Sequence, residues 1–128
     1  MPLAAAGQDL AAGAAAYRKC QACHQLGEGA GHGYGPALNG IVGRRAGSLA
    51  GFAYSLVMSE AGRNWLVWTP EALSDFLANP RDYLPGNRMT FIGLPDETER
   101  QNVIAYLMAF SPDYVPGGTP PGRAPAAN

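Results

Sequence analysis

Cys20-Gln21-Ala22-Cys23-His24 is the stretch that decides how this 128-residue chain is read. Two cysteines three positions apart, followed at once by histidine, form the attachment pattern for a covalently bound haem. Each thiol can close a thioether onto one vinyl group of the porphyrin, and two intervening residues roughly span the distance between those groups. His24 is then held beneath the ring, where its imidazole nitrogen can reach the iron. The chemistry of such a protein belongs to the iron. The competing structural reading, a disulfide between Cys20 and Cys23, closes a tight ring that cross-links very little chain and would stabilise little.

The rest of the composition bounds the problem. A chain of this length makes one domain with a modest core, and a haem would add a large apolar surface to pack against. The formal net charge of -1 and the sequence pI near 6.0 argue against nucleic acid as an electrostatic partner. No apolar run approaches membrane-spanning length. Met1-Pro2-Leu3-Ala4-Ala5-Ala6 lacks the basic and hydrophobic regions of an export signal. Covalent haem is normally attached outside the bacterial cytoplasm, so a leader or anchor is expected to have been removed and the location to be periplasmic.

Working outward from the motif, the sequence predicts an all-α protein. A first helix is expected from about Gln8 to Ala22, with Leu10, Ala14 and Tyr17 on one face. Residues 27–51 are rich in glycine and too irregular for a long helix or a sheet. A short helix is expected from Ala53 to Ala61, stopped by Gly62. Thr69-Pro70-Glu71 is a helix start, with Leu73, Phe76 and Leu77 on its apolar face and Asn79-Pro80 at its end. Asp96 followed by Glu99 resembles a capping box opening a helix whose inward residues are Val103, Ile104, Leu107 and Phe110. The expected organisation is an N-terminal extension over 1–8, a domain over 9–110, and a Pro/Gly-rich tail or linker over 111–128.

A second iron ligand must come from elsewhere. The only other histidine, His32, lies in the glycine-rich loop and reads as an exposed loop residue. Methionine is more often core filler than ligand, and Met58 and Met108 are read as filler. Met89 differs, because Pro85-Gly86-Asn87-Arg88 before it suits a fixed loop. A thioether there can cap the distal face, favour iron(II) and exclude small molecules, which points to electron transfer.

Three segments together, Cys20 to His24, Gly35-Pro36-Ala37-Leu38-Asn39-Gly40, and Asn79 to Met89, resemble the class I cytochromes c. The likeness is to the mitochondrial protein and its bacterial periplasmic counterparts, and it covers about Asp9 to Phe110. It implies a small fold whose first and last helices pack together around one covalent haem c. Its axial ligands would be His24 and Met89. Pro36 matches the residue whose carbonyl orients the ligand histidine, as such bonds do in metal sites. Arg44, Tyr54 and Trp68 match donors to the inner haem propionate, and Ser55 and Asn87 match positions near the other. Phe91 matches the aromatic residue at the haem edge, and Phe76 stands where a tyrosine is frequent. Gly13, Tyr17 and Tyr106 match the contact between the terminal helices.

Departures from the family pattern are Met58 in place of asparagine and about three extra residues within Gly62–Val67. Lys19 is the only lysine, and arginines 18, 44, 45, 81 and 88 would give at most a mildly positive front, offset by Asp75 and Asp82. In relatives, a loop lysine displaces the methionine at high pH. Arginine at 81 and 88 cannot do this.

The function this implies is a monomeric one-electron carrier, not an enzyme. Its expected donor is a quinol:cytochrome c reductase type complex, and its acceptor a terminal oxidase or a photosynthetic reaction centre. Its setting is respiratory or photosynthetic, without nucleic acid or direct membrane insertion. Two alternatives stand beside it: the haem domain of a larger or anchored oxidoreductase, and a zinc or thiol-redox protein built on Cys20, Cys23 and His24 or His32.

Overall fold

In the computed structural model, residues 9–117 are described. The proposed extension over 1–8 and the tail beyond Gly117 lie outside them. The order is α1 (Leu10–Tyr17), α2 (Leu56–Arg63), α3 (Pro70–Ala78), α4 (Pro80–Tyr83) and α5 (Glu97–Ala109). Among the described residues there is no strand, only an isolated bridge between Arg45 and Val67.

Each longer helix begins where a polar side chain can satisfy an orphan backbone N–H. Asp9 accepts from the Ala12 amide, Ser55 from Met58 and Thr69 from Ala72. Asp96 accepts from Thr98 at the head of α5. The expected reciprocal bond from Glu99 is absent, because Glu99 instead takes a 2.7 Å salt bridge from Lys19. After Tyr17 the first helix tightens, with the Arg18, Lys19 and Cys20 amides donating to carbonyls three residues back. Cys20 to His24 therefore follows the helix as a coil of turns, shorter than the expected helix to Ala22.

The terminal helices cross where Gly13 lies on α5. A Cβ there would run into the Asn102 carbonyl oxygen and sit 2.8 Å from Tyr106 Cβ. Tyr17 and Tyr106 complete the crossing, with ring centroids 5.7 Å apart. The buried face of α1 is Gly13, Ala16 and Tyr17; of the expected face, Tyr17 is buried as expected, Ala14 is half-buried and Leu10 is exposed. The three α1 alanines 14–16 hide the periodicity, since a small apolar residue suits any face.

Leu73, Phe76 and Leu77 of α3 and Val103, Ile104 and Leu107 of α5 form the core as expected, with Leu94 between them. Phe110 is only half-buried. Burying each Leu, Ile or Phe contributes about 1.5–3 kcal/mol. Gly62 does not stop α2. It lies inside the helix and lets the backbone press on Ala46, whose carbonyl oxygen a Cβ would strike. The stop comes later, at Asn64 and at Trp65, whose φ of 64° is left-handed. The chain then turns back onto the glycine-rich loop, with the Ala46 amide donating to Leu66 O at 2.8 Å.

Packing continues past Phe110. Ser111 is buried, donating to Leu107 O and accepting from the Val42 amide, and Tyr114 packs on the core against Gly43. The Pro/Gly composition after it obscured this one aromatic anchor.

Candidate haem site

A cleft of about 720 Å³ opens between the motif, the glycine-rich loop, α3 and the segment after α4. Cys20, Cys23, His24 and Met89 all line it. The two cysteines are not joined to each other. Burial pushes the Cys20 thiol up to about 11, helped by the neighbouring Cys23, so it is a poor thiolate in the absence of a partner.

His24 is held from several directions. Its amide donates to Cys20 O at 3.0 Å, and its carbonyl accepts from the Tyr17 hydroxyl at 2.9 Å. Its ring Nδ1–H donates to Pro36 O at 2.7 Å. Gly35 supports the ring from one side, where a Cβ would overlap the imidazole and lie 2.6 Å from Nδ1. With Nδ1 carrying the proton, Nε2 is the acceptor, and it has no partner among the described residues. Burial lowers the His24 pKa, opposed by the Pro36 bond, which favours the neutral imidazole that binds metals.

Met89 reaches the cleft from a loop with its own scaffold. Asn87 donates both amide hydrogens, to Pro80 O at 2.9 Å and Leu84 O at 2.8 Å, and accepts from the Met89 amide at 2.8 Å. A propionate bond from Asn87, as the resemblance implies, would require releasing one of these; in this structure the side chain shapes the loop. Arg100 holds the far end, donating to Leu94 O and Pro95 O at 2.9 Å and to Ser74 Oγ at 3.1 Å. Gly93, at φ 119°, passes so close to α3 that a Cβ would meet Ala78 O at 2.5 Å.

Arg44, Tyr54, Ser55, Trp68 and Phe91 also line the cleft. Arg44 donates to Ala37 O and Asn39 O, and no carboxylate pairs with it among the described residues. It is half-buried, and desolvation lowers its guanidinium pKa. Tyr54 accepts from the Leu49 amide, and its own hydroxyl hydrogen remains available. The Trp68 indole N–H likewise has no protein acceptor among the described residues. Trp68 stacks on Phe76 with centroids 5.0 Å apart, and Tyr83 packs against both, its pKa raised first by burial and then by Asp75. Met58 lines the cleft as filler, whereas Met108 is on the surface.

The donor set suits a haem. The cleft offers apolar walls, two thiols at attachment spacing, an uncommitted imidazole nitrogen, a thioether, and a half-buried cation with spare donors for a carboxylate. It does not suit zinc: among the described residues no group of three or more His, Cys, Asp or Glu side chains converges.

The comparisons agree. The family model for cytochrome c matches residues 10–111. The chain belongs to the cytochrome c family. It is similar to cytochrome c-550 of Ancylobacter novellus, 50% identical over 103 residues that span 80% of this chain and 96% of that protein. It is also similar to cytochrome c2 of Agrobacterium tumefaciens (strain II Chrys), 49% identical over 100 residues, 78% of this chain and 90% of that one. Among solved structures, cytochrome c2 from Rhodospirillum centenum superposes with a TM-score of 0.76 at 42% identity, covering 81% of this chain and 99% of that chain. The fold is thus the all-α class I cytochrome c fold. Membership makes this chain a one-electron carrier with covalent haem c.

Two residues that hold the site escaped sequence reading. The Tyr17 hydroxyl was hidden behind a ring whose packing already explained it. His32 is exposed as expected, yet its Nδ1 accepts from Ala37 N at 3.2 Å and its Nε2–H donates to Ala50 O at 3.0 Å. It thereby ties two loops together. Its partners lie far enough along the chain that no local motif announces them.

Proposed function

We propose that this chain is a periplasmic electron carrier whose haem iron is bound by His24 and Met89. Cys20 and Cys23 would hold the porphyrin by thioethers. The observation that carries the proposal is the 2.7 Å bond from His24 Nδ1–H to Pro36 O, which leaves Nε2 as the lone pair beside a cleft shared with Met89. Bound there, haem c supplies a one-electron iron(III)/iron(II) couple. Pro36 fixes the imidazole and raises its basicity. Arg44, with Tyr54 and Trp68, supplies donors to a propionate that would otherwise be an unpaired buried charge. Ser55 retains a hydroxyl hydrogen for the second propionate while its oxygen caps α2. Phe91 covers the cleft beside Met89, excluding water.

The donor is a quinol:cytochrome c reductase type complex and the acceptor a terminal oxidase or a photosynthetic reaction centre. Among the described residues no helix is long and apolar enough to cross a membrane. The test is kinetic. Membranes containing such a reductase should reduce the ferric protein, and an oxidase or illuminated reaction centre should reoxidise it over many cycles. Reduction without turnover at either acceptor would refute the carrier role.

A further inference from the structure

Tyr17 carries two separable features. Its ring is buried at the α1–α5 crossing against Tyr106. That packing needs no hydroxyl, and a phenylalanine would fill the same space. The hydroxyl nevertheless donates to the His24 carbonyl at 2.9 Å, bridging seven residues that contain both cysteines.

Several other backbone groups of this strap are held by backbone partners. The Cys20 and Gln21 amides donate to Tyr17 O, Cys23 and His24 to Cys20 O, and the Cys23 carbonyl accepts from Gly35. The His24 carbonyl differs from these: among the described residues its partner is a side chain, Tyr17. With it in place, the ligand is fixed at its amide, its carbonyl and its ring.

We propose that Tyr17 is a positioning residue for the iron ligand, acting through the His24 backbone carbonyl to keep the imidazole in register with Pro36. The inference rests on His24 being the ligand. Without the hydroxyl, the peptide after His24 loses its anchor and the Nδ1–H bond to Pro36 opens more often. A less firmly bonded imidazole is a weaker donor to iron(III), so the reduction potential rises.

The test compares haem-loaded wild type, Tyr17→Phe and Tyr106→Phe, the last removing a hydroxyl from the neighbouring ring. In Tyr17→Phe, proton exchange at the His24 ring N–H should be roughly fivefold faster, as expected for loss of one hydrogen bond. The potential should move positive while methionine ligation is retained. Tyr106→Phe should change neither. In the wild type the Tyr17 hydroxyl proton should give a discrete, slowly exchanging resonance. Unchanged exchange in Tyr17→Phe, equal changes in both variants, or no such resonance would overturn the inference. A wild-type His24 ring without the shifts of an iron-bound imidazole would instead remove the ligand assignment, and this inference with it.

Discussion

The histidine side of the cleft and the methionine side are built by different means. His24 sits in a strap whose bonds are short-range, reaching back to Tyr17 and Cys20 and forward to Pro36. Met89 is placed by a loop whose anchors come from afar: Arg100 on α5, Ala78 on α3, and Ala53, which accepts from Arg88 at 2.7 Å. Only Asn87 ties Met89 locally, and it holds the backbone amide, leaving the thioether to packing. The histidine side is therefore set by neighbours in sequence, while the methionine side depends on the completed fold. Local opening should concentrate in the second.

The largest effect should separate the two proposed ligands outright. His24→Ala should abolish formation of stable haem protein, whereas Met89→Ala should keep covalent haem and lose only the sixth ligand. Absorption spectra and the yield of covalent haem check this; equal haem loss in both variants would break the contrast. Next come the two glycines that let backbone approach closely. Gly35→Ala forces a Cβ onto the His24 ring, and Gly93→Ala forces one onto Ala78 O at a φ of 119°. Each should destabilise by about 1–3 kcal/mol in thermal or denaturant unfolding. Gly35→Ala should also perturb the histidine resonances, and Gly93→Ala the methionine band. A swapped pattern would contradict the division.

Asn87→Ala should cost about 1–3 kcal/mol, because it leaves loop groups unsatisfied. The loss should appear mainly as easier displacement of Met89 by added imidazole. The smallest effect is on pH. Neither 81 nor 88 is lysine, and Lys19 is engaged with Glu99. Methionine ligation should therefore persist as pH rises through about 10, the range where a free lysine would deprotonate and compete. A lysine-ligated spectrum there would sink this. Tyr17 adds a stability term of known sign. Its pKa is raised from 10.0 to about 12 in the folded chain. The stabilisation is thus complete below pH 10 and is lost as pH climbs towards 12. Tyr17→Phe should flatten the unfolding midpoint over that window.

The same division explains what could be read from the chain. Cys20 to His24 and Thr69-Pro70 are legible because their chemistry is local: attachment spacing in one, a cap followed by proline in the other. Arg100 gave no signal, since its acceptors on 94 and 95 become neighbours only when α5 docks. Gly62 looked like a helix stop because a glycine's local preference and its tertiary use cannot be told apart in sequence. Here, contact with Ala46 decides. Asn87 matched a propionate-facing position and does line the cleft, but its three bonds to its own loop were not legible in the sequence.

The most direct measurement is the absorption spectrum of the ferric haem-loaded protein, with Met89→Ala alongside. Six-coordinate ligation by His24 and Met89 predicts a low-spin spectrum with the weak far-red band of methionine-bound iron(III), lost in the variant. A wild-type spectrum without that band, or a band that survives Met89→Ala, would contradict the account.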